Sequence, residues 1–129
     1  MPMKSLRALA SLSAVAALAC SSPTGTEPRQ LRVIATANTV TMENPNAWPV
    51  FYIVANPNFL ALADFALCED PASNCPRVPA KGTAHVAYAD IAGYEVGETE
   101  ATLMEWRLER QLDGSYRAKD FQTTTVQLH

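Results

Sequence analysis

The order of apolar and polar positions divides the chain into three unlike stretches. Ala8–Ala19 is a twelve-residue apolar run behind the cations Lys4 and Arg7. Ser21–Gln30 (SSPTGTEPRQ) has no aliphatic or aromatic side chain and carries two prolines and a glycine, the composition of a flexible tether. From Leu31 onward apolar residues recur mainly with period two, the spacing that places successive side chains on opposite faces of a strand.

In that third stretch Leu31, Val33, Ala35 and Ala37 alternate, and Val40 and Met42 continue with shifted parity. The shift predicts a bulge or a switch of sheet near Asn38-Thr39. Asn44-Pro45-Asn46 and Asn56-Pro57-Asn58 are turn signals. Between them, Trp48–Ala55 (WPVFYIVA) is apolar on both faces and rich in β-branched and aromatic residues, which predicts a central strand with Pro49 at its start. Phe59–Leu67 fits a short strand and a single helical turn equally. Cys68–Gly82 reads as a loop, Thr83–Ala89 as a strand with Ala84, Val86 and Tyr88 on one face, and Asp90–Gly97 as a compact corner.

Ala101–Leu112 (ATLMEWRLERQL) sets two signals against each other. Its residues are good helix formers, and Thr102 with Glu105 could make a capping box. Its pattern alternates, however, with Met104, Trp106 and Leu108 on one side and Glu105, Arg107 and Glu109 on the other. Asp113-Gly114 is a hairpin signal, and Tyr116–Leu128 beyond it is β-rich. A strand across that turn needs a partner, so 101–112 is predicted to be a strand. The sum is an all-β chain of about seven short strands, a β-sandwich spanning 31–129.

Composition bounds the rest. The formal net charge of the 129 residues is −3. Beyond residue 19, eight Lys+Arg face thirteen Asp+Glu, a balance of −5, and the cations are scattered. Nucleic-acid binding needs grouped cations to neutralise phosphates and is rejected, as is a polybasic contact with a membrane. A region of about 100 residues makes one domain with a modest core.

The first stretch reads as a secretory signal over 1–19, since twelve residues span only about 18 Å as a helix against a hydrocarbon core of roughly 30 Å. Ala17-Leu18-Ala19-Cys20 resembles the lipobox of bacterial lipoproteins, with alanine at the position where that family prefers leucine. The resemblance implies that Cys20 is lipidated, becomes the mature N-terminus and anchors the tether 20–30 in a membrane. Ser21 lacks the aspartate that retains enterobacterial lipoproteins in the inner membrane, so the resemblance implies the outer membrane. The same three residues satisfy the A-x-A rule for ordinary cleavage, which would give a soluble periplasmic or secreted protein.

With Cys20 assigned to the signal junction, Cys68 and Cys75 remain as a pair in a chain predicted to be exported, where disulfides persist. Closing the eight-residue loop removes about 2.5 kcal/mol of unfolded-state entropy on the chain-entropy model. A redox pair would favour C-x-x-C, and zinc would need two further ligands. The domain is similar over its length to the immunoglobulin-like modules of small bacterial lipoproteins. Asp90-Ile91-Ala92-Gly93-Tyr94 matches the D-x-A-x-Y spacing before strand F of many immunoglobulin domains. That resemblance implies a Tyr94 hydroxyl bonded to upstream backbone, although the inter-sheet Cys…Trp…Cys pattern is missing.

Candidate chemistry is sparse. His129 ends the chain, and His85 is predicted to face solvent, with no nucleophile elbow to serve it. Asp90, Glu95, Glu98 and Glu100 form an acidic corner without a calcium-loop motif. Glu69 and Asp70 sit within the cysteine loop. Phe51 and Trp106 are expected in the core, whereas Trp48 and Tyr94, if exposed together, would anchor a protein or sugar ligand. No catalytic residue, metal or cofactor is expected. The reading is a membrane-anchored, non-catalytic binding or structural module with an envelope protein as candidate partner. The alternative is a proteinase inhibitor presenting Cys68–Pro79.

Overall fold

The computed structural model describes residues 27–62 and 67–129. The readings of a signal over 1–19, an anchor at Cys20 and most of the tether fall outside the described residues. The alternation beyond Leu31 resolves into strands β1 (Arg32–Ala35), β2 (Thr39–Glu43), β3 (Val50–Ala55), β4 (Arg77–Val78), β5 (Thr83–Ala87), β6 (Glu100–Arg110) and β7 (Tyr116–Gln127). They form two antiparallel sheets, one ordered β1-β2-β5 and the other β4-β3-β6-β7. The only helices among the described residues are α1 (Pro57–Leu62) and a 3-10 turn, Tyr88–Asp90. None is long and apolar enough to cross a membrane.

The parity shift at Asn38-Thr39 is neither a bulge nor a sheet switch. It is a tight hairpin, with Ala35 opposite Val40 and the Thr36 N–H donating to the Thr39 carbonyl at 2.9 Å. Reversing the chain restarts the count of faces, so a turn and a bulge leave the same trace in sequence. At Phe59–Leu67 the described part is helical. Asn56 caps it, its Oδ1 accepting from the N–H groups of Asn58 and Phe59, and Pro57 takes the first helical position, where its missing N–H costs nothing.

The strand predicted at 101–112 is β6, paired with β3 on one side and with β7 on the other. Cross-strand pairing supplies the hydrogen bonds that helix propensity would have closed locally. Its facing reverses the apparent pattern. Ala101, Leu103 and Glu105 point at the other sheet and are buried, joining Val40, Met42, Val54 and Val126 in the core. Trp106 is also buried, but on the outer side of its sheet beside its register partner Phe51. The second sheet is thus covered on both faces, which is why β3 is apolar on both.

Opposite Trp106, β7 places two residues, Asp120 and Phe121, where β6 has one. Asp120 takes φ 57°, and the bulge lets Phe121 stack on the Trp106 ring at a centroid distance of 6.4 Å. The chain enters the domain at Leu31, beside the end of β2. It leaves at the opposite end, where the Leu128 N–H donates to the Thr99 carbonyl and the His129 N–H to the Tyr88 hydroxyl.

Candidate functional site

The entry of the chain is held by side chains rather than by a strand. Asn46, 4% exposed, accepts the Arg29 N–H at 2.8 Å and donates to the Arg29 carbonyl at 2.8 Å, completing a bridge in place of backbone. Asn44, 3% exposed, supports it by accepting from both the N–H and the Nδ2 of Asn46. Its own Nδ2 donates to the carbonyls of Trp48, Val78 and Pro79 at 2.8, 3.1 and 3.0 Å. The Asn-Pro-Asn turn therefore ties the crossing from β2 to β3 to the loop joining β4 and β5.

One step further in, Glu105 is 3% exposed and accepts the Leu31 N–H at 3.1 Å. Burial raises its pKa above the ordinary glutamate range, and the Leu31 hydrogen bond opposes the rise only in part. A carboxyl whose pKa is higher folded than unfolded favours the fold while both states are protonated. That contribution is lost as pH climbs through the ordinary value of about 4.3 and past the folded one. Glu105→Gln keeps an acceptor for Leu31 and removes the charge. It is expected to be more stable than the parent at pH 7 and to flatten the stability profile between about pH 4 and 7, as measured by urea unfolding across that range.

The cysteine pair is joined, Cys68 to Cys75, with the Cα atoms 6.4 Å apart. Its loop is internally bonded through Asp70 Oδ1 to the Ala72 N–H and through the Arg77 guanidinium to the Ser73 carbonyl. It is also pinned to the sheet. The Trp106 indole N–H donates to the Cys68 carbonyl at 2.9 Å, and Glu69 accepts the Ala118 N–H at the β7 edge at 2.9 Å. Cys68→Ser with Cys75→Ser is expected to lower unfolding free energy by about 2.5 kcal/mol. An equal loss on adding reductant to the parent would locate the effect in the bridge itself.

The two candidate binding aromatics are not brought together. Trp48 lies at the entry end, half-buried, with the Arg107 guanidinium 4.3 Å above its ring and Arg107 in turn paired to Asp120 at 2.8 Å. Tyr94 lies at the far end, half-buried, packed on Tyr88 at 5.8 Å. The hydroxyl that reaches upstream backbone is that of Tyr88, which donates to the Thr36 carbonyl. Of the acidic corner, Glu98 is committed internally, accepting from the Asn56 amide and from the Glu95 N–H. Among the described residues no group of three His, Cys, Asp or Glu is placed to hold a metal ion. His85 is exposed, with its Nδ1 3.0 Å from the Thr41 hydroxyl.

His85 also borders a cleft of about 340 Å³ at the open side between β3 and β5, walled by Tyr52, Val54 and Val86 with Asp90 at its rim. Sequence reasoning missed this feature and the buried entry clamp alike. The asparagines looked like turn formers, and Leu103 on the polar side of 101–112 was the one hint that Glu105 faces inward. No protein-family model, curated protein or solved structure matches the chain.

Proposed function

We propose that the protein is an envelope-anchored lipoprotein whose immunoglobulin-like β-sandwich acts as a non-catalytic binding or structural module, tethered at the outer membrane through Cys20. The observation that carries this reading is the clamp on Arg29 and Leu31. It grips the chain at Arg29 and Leu31, where the polar stretch ends and the domain begins. A domain hung by one end keeps its sides and its far end open to an envelope protein. Two antiparallel sheets, ordered β1-β2-β5 and β4-β3-β6-β7 around a shared core, support the immunoglobulin-like assignment. In cells given labelled palmitate, the parent is expected to take up label and fractionate with the outer membrane. Cys20→Ser should do neither, and a membrane-bound, unlabelled parent would refute the anchor.

A second reading, a proteinase inhibitor, draws on the pinned loop, because an inhibitor must present a stiff segment to the protease. Cys68–Pro79 is closed by the disulfide and bonded at both Cys68 and Glu69. A protease panel that cleaves this loop freely without being inhibited would remove it.

A further inference from the structure

Among the described residues, the backbone of β3 has an unfilled stretch on the side away from β6. β4 covers its first part, with Val50 opposite Val78 and Phe51 opposite Arg77. The next pair in that register is Tyr52 with Pro76. There the Tyr52 N–H reaches the Pro76 carbonyl at 3.3 Å, but proline has no N–H to return to the Tyr52 carbonyl. Pairing by β4 stops at that point.

Beyond the gap Ala92 takes over as a parallel bridge opposite Ala55. Its N–H donates to the Val54 carbonyl at 3.1 Å, and its carbonyl accepts the Asn56 N–H at 2.8 Å. Since the N–H and carbonyl of one strand residue point the same way, the Val54 N–H also faces outward. Among the described hydrogen bonds, neither the Tyr52 carbonyl nor the Val54 N–H has a partner. The two are spaced to receive one residue in the pattern Ala92 uses two positions later, an N–H to the Tyr52 carbonyl and a carbonyl to the Val54 N–H. This open pair adjoins the cleft walled by Tyr52, Val54 and Val86.

We propose that the β3 edge between Pro76 and Ala92 is a binding site for an extended peptide segment of a partner protein. One partner residue bridges Tyr52 and Val54 through its main chain, and an adjacent apolar side chain fills the cleft. A cleft of about 340 Å³ lies at the low end of ligand-sized pockets. The gap admits a single bridging residue, because Pro76 and Ala92 close it on either side. That suits a segment able to bend in and out, and excludes the straight sheet edge of a second copy. Main-chain bonds supply the affinity in such strand-addition modes, and the pocket beside them supplies the selectivity. Asp90, exposed at the rim, favours a cation next to the apolar residue. The inference rests on reading the domain as a binding module, and is independent of the anchor.

The test uses the isotope-labelled protein, purified as the cell makes it and held in detergent micelles. The probe is the peptide acetyl-Lys-Leu-Thr-Leu-Lys-amide. In the free protein the Val54 amide should exchange with solvent at least about a hundredfold faster than that of Ile53, whose N–H points to β6. On titration the Val54 resonance should shift and its exchange should slow about tenfold, and N-methylation of the central threonine should abolish both effects. Pro76→Ala restores a donor for the Tyr52 carbonyl, so it should fold normally and weaken peptide binding about tenfold. Equal exchange of Val54 and Ile53 in the free protein would overturn the proposal. So would unchanged affinity in Pro76→Ala, or the absence of any peptide-induced shift. Shifts confined to the β7 edge at Thr123 and Thr125 would also overturn it while leaving the binding-module reading intact. Failure of palmitate labelling would strike the anchor alone.

Discussion

Asn44→Asp is expected to destabilise the domain by about 3–5 kcal/mol, read as a drop in the urea midpoint with an unchanged slope. The substitution hardly alters shape. It replaces an amide that donates to the carbonyls of Trp48, Val78 and Pro79 with an oxygen that can only accept, in a site 3% exposed. Three carbonyl oxygens then face a fourth acceptor, and a negative charge is placed in a site 3% exposed. A carboxylic acid can donate one hydrogen bond, so part of the loss should return as pH falls below the raised pKa of the new acid. Asn44→Ala removes the donors without adding charge and should cost about 3 kcal/mol. A loss below about 1 kcal/mol in both variants would mean that the hub does not hold the β2–β3 crossing.

Trp106→Ala should be similarly severe, at about 3–5 kcal/mol, equivalent to roughly 15–30 °C in Tm for a domain of this size. The indole is 2% exposed, stacks on Phe121 and donates to the Cys68 carbonyl, so its loss opens a cavity and releases the disulfide loop together. Trp106→Phe separates the two contributions. It keeps most of the ring volume but loses the donor, and a loss of about 1 kcal/mol is expected, with faster proteolysis confined to Asp70–Asn74. If Phe cost as much as Ala, the hydrogen bond and not the packing would be the anchor of the loop.

Much of the β architecture was legible because period-two alternation is a direct image of the pleat. β3 and β7 stood out through dense β-branched and aromatic residues, and β6 was recovered against its helix propensity by the Asp113-Gly114 turn that required a partner. Part of what stayed hidden has a simple physical cause, namely that a side of a strand has no sign in sequence. Met104, Trp106 and Leu108 look like a face turned to the other sheet, yet Trp106 is buried on the outer side, bonded to the Cys68 carbonyl, while Glu105 enters the space between the sheets. The hairpin at Thr36–Thr39 imitated a bulge for the same reason, since both advance the parity by one. The clamp was invisible because Asn44 and Asn46 have the composition of an exposed turn, and only tertiary placement buries them. The β3 gap is written in backbone, with Pro76 its only side-chain trace.

The entry at Leu31 and the exit at His129 lie at opposite ends of the domain, on strands of different sheets. A pull between a tether at one end and a load at the other would run along the strand axes. The ladders of β1 with β2 and of β6 with β7 would then slide as whole rows of bonds loaded at once, rather than parting one bond after another from an end. The placement of Leu31 and His129 thus makes the fold resist most strongly a pull applied along its strands through those two points.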